Sequence, residues 1–459
     1  MTGGTHTTID DPSATSTQAF GINDMGQIVG SYGNESGSHG FLYSGGTNGT
    51  YTTLDDPSAT QGTFAQGINA SGQIVGYYKN ASGTHGFLYS GGTYTTLDDP
   101  LATNGTQAFG INDMGQIVGT YDNASGNHGF LLTITPNPPP PGGTTADMIL
   151  RASNSSPSRG LYEIYDIGNN SLLAAFQLGQ VGTDWQFVGL GAFFGSDTTD
   201  MLLRSASTGG FEVYDISNNN ITNTAFLGNV GLDWRVLGFG NFSSMPGETD
   251  MILRNSNTGG VEVYDISNNQ ITGAAFMGAV GLDWQFSGVG NFSGLGESDM
   301  LLRNSSTGGL EVYDISNNQL TGAAFIGAVG VDWKFSGVGN FSGVAGETDL
   351  LLRNVNTGGL EVYDINNNQL TNAAFIGTVG LEWQFAGVAP IHAAGASDLV
   401  LRNVNTGAFE VYDIANNQLA GAASLGAVGL DWQVGGFAAD PPTGSIGSSG
   451  SVSQLVHKR

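Results

Sequence analysis

The chain has 459 residues, 74 of them glycine and none cysteine, and its 39 acidic against 12 basic side chains give a formal charge of −27. No disulfide, thiolate nucleophile or zinc–sulfur site is available, and the acidic excess disfavours binding to nucleic acid or anionic lipid. Hydrophobic residues at 39% against 11% charged exclude a disordered chain, and no apolar run reaches the ~20 residues that cross a bilayer.

Met1-Thr-Gly-Gly-Thr-His6 has no basic segment followed by an apolar core, so no standard signal peptide is visible. The cysteine-free, glycine-rich, acidic composition nevertheless points to a secreted bacterial protein, exported by another route or represented here by a fragment. Residues 1–135 then carry one unit three times. It reads Thr-Thr-Ile/Leu-Asp-Asp-Pro, a Phe-containing strand, Gly-Ile-Asn-x-x-Gly-Gln-Ile-Val-Gly and His-Gly-Phe-Leu, with Gly21, Gly67 and Gly110 opening the central motif. Four short strands are readable in each unit. Three units fall short of the smallest propellers, so an independent three-repeat β domain is expected, with an incomplete or oligomer-completed propeller as the alternative. His39, His85 and His128 recur once per unit. Threefold symmetry would gather them into a three-imidazole zinc site of the kind that activates water; the plainer reading is that each bonds a neighbour in its own repeat. The Asp-Asp-Pro triplets at Asp10, Asp55 and Asp98 read as turns or as lining for a cation.

Residues 136–146 hold the run Pro136-Asn-Pro-Pro-Pro-Pro-Gly142, a semi-rigid polyproline spacer that marks a domain boundary. From 147 to 440 a 50-residue unit repeats six times, starting at Asp147, Asp200, Asp250, Asp299, Asp349 and Asp398. A period of this length signals a propeller, solenoid or array. Each unit contains four short apolar runs separated by Gly, Asn, Ser and Thr clusters, the pattern of strands and turns. The expected fold class is therefore all-β: a six-bladed β-propeller of four-stranded blades plus the N-terminal three-repeat β domain. Residues 441–459 read as a flexible low-complexity tail.

Every tryptophan falls at one place in the unit: Trp185, Trp234, Trp284, Trp333, Trp383 and Trp432. One large side chain per blade is what packing between blades requires, and the same rings would also serve as stacking platforms for a sugar. Arg151, Arg204, Arg254, Arg303, Arg353 and Arg402 recur beside strands bearing Glu163, Glu212, Glu262, Glu311, Glu361 and Glu410. These suggest a ring of structural ion pairs, or alternatively a central anion site.

The segment Gly110-Ile-Asn-Asp-Met-Gly-Gln-Ile-Val-Gly119 with His128-Gly-Phe130 resembles the HAF-type extracellular repeat over residues 5–134. Asp283-Trp284-x-x-x-Gly-Val-Gly-Asn-Phe-Ser-Gly, followed by Asp299-Met-Leu-Leu-Arg-Asn-x-x-Thr-Gly, looks like the FG-GAP or VCBS class of propeller repeat over 147–437. That resemblance implies a secreted or cell-surface propeller, often used in adhesion, whose loops carry Asp-x-Asn-Gly-Asp-Gly-x-x-Asp around calcium. Here the loops run from Asn241 to Asp250, Asn291 to Asp299 and Asn340 to Asp349. Asn replaces the first acid and only the last Asp survives throughout. Calcium is the one cofactor the sequence suggests; the bland reading is a turn held by Asn and Ser. No nucleophile elbow, phosphate loop or His-Glu-x-x-His pair is present. The expectation is a secreted, non-enzymatic repeat protein that binds an extracellular glycan or protein surface. A carbohydrate-binding module, or a propeller hydrolase or lyase with a metal site, is the alternative.

Overall fold

The structure is a computed structural model that describes residues 6–46, 49–195 and 199–440; the tail expected to be flexible, 441–459, lies outside these. Among the described residues the regular elements are 35 strands and no helix. The chain forms two compact units, one built on residues 1–137 and one on most of the remainder.

The N-terminal unit contains β1 (Ser16–Ile22), β2 (Ile28–Asn34), β3 (Gly37–Ser44), β4 (Thr50–Leu54), β5 (Thr63–Ile68), β6 (Ile74–Asn80), β7 (Gly83–Ser90), β8 (Thr93–Thr96), β9 (Gly105–Ile111), β10 (Gln116–Asn123) and β11 (Gly126–Thr133). They pair in the orders β1-β2-β3-β4, β5-β6-β7-β8 and β9-β10-β11. Each β2–β3-type hairpin turns at Asn-x-Ser-Gly: Asn34 Oδ1 accepts from Ser36 N, and Asn80 and Asn123 do the same for Ser82 and Ser125. Such side-chain capping of a turn is why Asn and Ser occupy it. Successive sheets stack by a repeated contact. A Cβ on Gly21 would lie 2.9 Å from Gln66 O, and one on Gly67 2.9 Å from Phe109 O, so glycine alone permits the approach. Asn23 Nδ2 donates to Asn69 O and Asn69 Nδ2 to Asn112 O. Val29 and Leu54 pack with Ala65, Ile68 and Phe87 at the first junction, and Val75 and Leu88 with Ala108 and Ile117 at the second.

In the second unit the sheets do not coincide with the sequence repeats. Each tryptophan strand pairs forward, onto the Asp strand of the following repeat: Trp284 sits opposite Asn304 and Gly290 opposite Asp299. A typical sheet thus runs Trp284–Gly290, Asp299–Asn304, Gly309–Ser316 and Gln319–Ala328 in antiparallel order. Second to sixth sheets begin at Trp185, Trp234, Trp284, Trp333 and Trp383. The first sheet has its tryptophan strand from the far end of the repeats: Trp432–Ala439 pairs with Ala146–Ala152, Ala439 opposite Ala146. Tryptophan strands pack side by side from sheet to sheet, and the Trp432 strand touches both the Trp383 and the Trp185 strands, which closes the circle. Strands such as Met300-Leu301-Leu302 are buried on both faces, hence their unbroken apolar sequence. The hairpin Asn317-Asn318 has φ of 47° and 58°, repeated in every sheet; asparagine tolerates this left-handed pair, which matches the twist of the flanking strands.

Candidate functional site

The asparagine hairpins tie neighbouring sheets together. Asn269 Nδ2 of the third sheet donates to both oxygens of Asp215 in the second, at 2.8 and 2.7 Å. Asn318 binds Asp265, Asn368 binds Asp314 and Asn417 binds Asp364 in the same way. Asn219 donates to Asp166 and Asn170 to Asp413, so the six pairs form one cycle. The backbone N–H of Asn318 also donates to Phe242 O, that of Asn368 to Phe292 O and that of Asn417 to Phe341 O.

Those phenylalanines lie in the loops considered for calcium. Asp250 Oδ2 accepts the N–H groups of Phe242 and Ser243, Asp299 Oδ2 that of Ser293, and Asp349 Oδ2 that of Ser342. The last Asp is thus fully buried and turned onto its own loop backbone. Desolvation pushes the carboxyls of Asp250, Asp299 and Asp349 up from 3.8 to about 6, against the lowering effect of those N–H donors. Asn241 Oδ1 and Glu248 Oε2 meet at Ser243 Oγ, and Asn340 and Glu347 at Ser342 Oγ. Asn291 Oδ1 accepts from Gly296 N. The loops are closed by their own hydrogen bonds, in which Glu248 and Glu347 each accept through both carboxylate oxygens.

The tryptophans are half-buried, with Trp234, Trp284, Trp333, Trp383 and Trp432 packed against successive cores. Trp185 is half-buried as well. Near them, on the fourth strand of the second to fifth sheets, stands an exposed phenylalanine that the sequence pattern does not single out: Phe226, Phe276, Phe325 and Phe375, of which Phe276 is 64% and Phe325 66% exposed. A Cβ on Gly260 would lie 3.1 Å from Phe276 Cε2 and 3.6 Å from Trp234 Cη2. On Gly359 it would lie 3.1 Å from Phe375 Cε2 and 3.5 Å from Trp333 Cη2. Glycine thus lets a Phe and a Trp ring share one shelf on the sheet surface. The sixth sheet has Ser424 at this place, opposite Glu410 as Phe276 is opposite Glu262.

The expected arginine–glutamate ion pairs do not form. Arg204 stands opposite Phe211 and Glu212 opposite Leu203, so the two side chains leave opposite faces of the sheet. Arg254 instead donates to the carbonyls of Trp284, Val280 and Gly281 at the entry to the next sheet, and Arg402 does so at Trp432 and Gly429. Glu262 accepts from Tyr264 Oη and Glu410 from Tyr412 Oη.

His39, His85 and His128 are not gathered into one site. Each ring stacks on a tyrosine of its own repeat, Tyr32, Tyr78 or Tyr121, at centroid distances of 5.1, 5.1 and 5.0 Å. His39 Nε2 lies 2.9 Å from Ser36 Oγ and Nδ1 2.8 Å from Asp55 Oδ2; His85 is placed likewise between Ser82 and Asp98, at 2.9 and 2.7 Å. This is the connectivity of a Ser-His-Asp triad, repeated on exposed hairpins. The spacing Asn-x-Ser-Gly-x-His in all three repeats was its sequence signal. Ser36 has one hydroxyl proton, however, and Asn34 Oδ1 accepts it at 2.6 Å, closer than the ring. The array is a clasp between hairpin and fourth strand.

One further cluster gathers donor atoms within 4.8 Å of one another: His392, Asp398 and Asp413. His392 replaces the serine of the sibling loops. Its Nδ1 lies 2.7 Å from Asp398 Oδ1, and Asp398 also accepts from His392 N, while Asp413 accepts from Asn170. An imidazole and two carboxylates suit a borderline cation in chemistry, yet all three are already bonded to one another or to the sheet-closing asparagine. A groove of about 360 Å³ lined by Met148, Tyr165, Phe409 and Leu425 brings no acid–base pair together.

No family model and no curated protein matches the chain. Solved structures similar to it include the nidogen/laminin complex, at 11% identity over 64% of this chain and 97% of that chain, with a TM-score of 0.40. Others are TolB from Acinetobacter baumannii, at 14% identity, 68% and 77% coverage and a TM-score of 0.38, and the calcium-binding protein regucalcin from Agrobacterium tumefaciens, at 14%, 58% and 88%, with 0.33. At these scores the fold rests on the strand pairing of the chain itself. It defines an all-β, propeller-type repeat protein built of antiparallel sheets.

Proposed function

We propose that this is a secreted or cell-surface interaction protein without catalysis, in which a six-bladed propeller of the FG-GAP or VCBS kind follows an N-terminal domain of three HAF-type repeats. The observation that carries the reading is an exposed Phe on the fourth strand of the second to fifth sheets, set beside a half-buried Trp across Gly260 and Gly359. Flat apolar faces with a polar rim suit the stacking of sugar rings. Several equivalent shelves on one rigid body bind an extended glycan multivalently, so that weak contacts sum through effective concentration. Calcium is the cation we assign to the loops Asn241–Asp250, Asn291–Asp299 and Asn340–Asp349, with Glu248, Glu297 and Glu347 as their added carboxylates. The reading is tested by affinity electrophoresis of the intact protein through gels containing soluble polysaccharides of different charge and linkage. Retardation by at least one polymer is expected. The Phe276→Ser, Phe325→Ser, Phe375→Ser triple variant, which copies the natural Ser424 and leaves only Phe226, should lose most of that retardation. Unretarded wild-type protein in every gel, or a triple variant retarded equally, rejects the shelves as the binding surface.

A further inference from the structure

Two edges of the N-terminal unit match each other. Among the described residues the third sheet has three strands, and no strand pairs with the outer side of β11. In the first two sheets that edge is covered by a fourth segment: a Cβ on Gly40 would lie 2.7 Å from Leu54 O, and one on Gly86 2.6 Å from Leu97 O. At the equivalent Gly129 the nearest atom is Gly119 O, at 3.9 Å. The same fourth segments bring Asp55 to His39 and Asp98 to His85, whereas His128 is bonded to Ser125 and Asn123. Val118 is 50% and Leu131 66% exposed, although the matching Val29, Val75 and Leu88 are buried.

The missing segment exists at the other end. Thr7-Thr8-Ile9-Asp10-Asp11-Pro12 repeats Thr52-Thr53-Leu54-Asp55-Asp56-Pro57 and Thr95-Thr96-Leu97-Asp98-Asp99-Pro100, with Ile for Leu as the one change. Asp11 N donates to Thr17 Oγ1 as Asp56 N does to Thr63 Oγ1 and Asp99 N to Thr106 Oγ1. Ile9 packs on the core of the first sheet. The segment therefore stands where a fourth strand enters the next sheet, yet residues 6–10 pair with no strand. Beside it Ala19 and Ile22 are exposed, where Ala65 and Ile68 are covered by the preceding sheet.

We propose that a second copy of this chain completes the β11 edge. Thr7–Asp10 of one copy adds to β11 of the other as its fourth strand, an edge-strand addition. Ile9 lies over Gly129, Asp10 bonds His128, and Val118 and Leu131 cover Ala19 and Ile22. The occupant is a second copy because this junction is already built twice within each chain, and each chain carries both of its halves. The contact is heterologous, so it joins two copies in a closed pair or extends to more.

Sedimentation velocity of the full chain across the micromolar range should give twice the single-chain mass or more. Gly129→Val has open space in the isolated chain but collides with an incoming Ile9 backbone; it should return the single-chain mass with an unchanged circular dichroism spectrum. Because the protein has no cysteine, Asp10→Cys protein mixed with His128→Cys protein and oxidised should give a two-chain species in high yield, which neither gives alone. That cysteine pair decides the matter even if Gly129→Val misfolds. A single-chain mass at every concentration with no mixed disulfide overturns the proposal. So does a doubly substituted chain whose two cysteines bridge internally at high dilution.

Discussion

Asn170 Nδ2 donates to Asp413 Oδ2 at 2.9 Å although 243 residues separate them. It is the same contact that Asn269 makes to Asp215, and it joins the first repeat to the last. With the pairing of Trp432–Ala439 onto Ala146–Ala152, it turns a row of sheets into a ring. Deleting the amide leaves a carboxylate without its donor, at a cost of about 1–3 kcal/mol. Asn170→Ala should therefore lower the unfolding free energy in urea by that amount, and Asn269→Ala by less, because Asp215 also accepts from Asn223 Nδ2. A change under about 0.5 kcal/mol for both would show that the ring is held by strand pairing alone.

Arginine here anchors carbonyls, and this separates its behaviour from that of an ion pair. Arg254 serves Trp284, Val280 and Gly281. A fork of fixed donors suits several acceptors at once, which a lysine cannot reproduce. Arg254→Lys should cost on the order of 2 kcal/mol, and the cost should be the same in 0.1 M and 1 M sodium chloride. Loss of the difference at high salt would point to a carboxylate partner instead, because screening weakens exposed charge pairs.

How much of this was legible beforehand follows from what periodicity reports. The unbroken apolar run Met300-Leu301-Leu302 announced a strand buried on both faces, and the recurrence of Trp announced repeated sheets. The pairing of Trp284 with the next repeat was not legible, because a repeat read from sequence has no privileged starting point. Arg254 and Glu262 looked like partners by proximity along the chain. Only the register, which places them on opposite faces, separates them. Phe276 was passed over because exposure is a property of the outer strand's position, and nothing in Ala-Ala-Phe distinguishes an outer strand from an inner one. The clasp of Ser36, His39 and Asp55 was written in the Asn-x-Ser-Gly-x-His spacing but needed the fourth strand to supply its acid.

Acidity should stabilise the ring of sheets. Burial raises the carboxyls of Asp250, Asp299 and Asp349 to about 6 in the folded chain, against 3.8 ordinarily. Below about pH 4 folded and unfolded chains are both protonated there, and the benefit is full. As the pH rises through 6 the folded chain must ionise a buried group, and the benefit is lost. Unfolding free energy should thus fall between pH 4 and 7, each residue contributing on the order of 1–3 kcal/mol. Asp299→Asn should flatten that slope by one residue's share, since its amide oxygen still accepts from Ser293 N. An identical slope in wild type and variant would mean that Asp299 titrates normally.

The two Ser-His-Asp arrays should be chemically silent. In a working triad the serine proton is directed to the imidazole and the oxygen attacks. Ser36 and Ser82 donate to Asn34 and Asn80 at 2.6 Å, and both lie on exposed hairpin tips, where water competes for the oxygen. An active-site-directed fluorophosphonate should therefore label neither serine, as read by peptide mass mapping of the intact protein after overnight exposure. Asp55→Asn should slow no esterase reaction and should instead loosen the β3–β4 edge, raising amide exchange in Thr50–Leu54 by about tenfold, the equivalent of ~1.4 kcal/mol. Stoichiometric labelling of Ser36 that disappears in His39→Ala would reverse this and make the N-terminal repeats an enzyme.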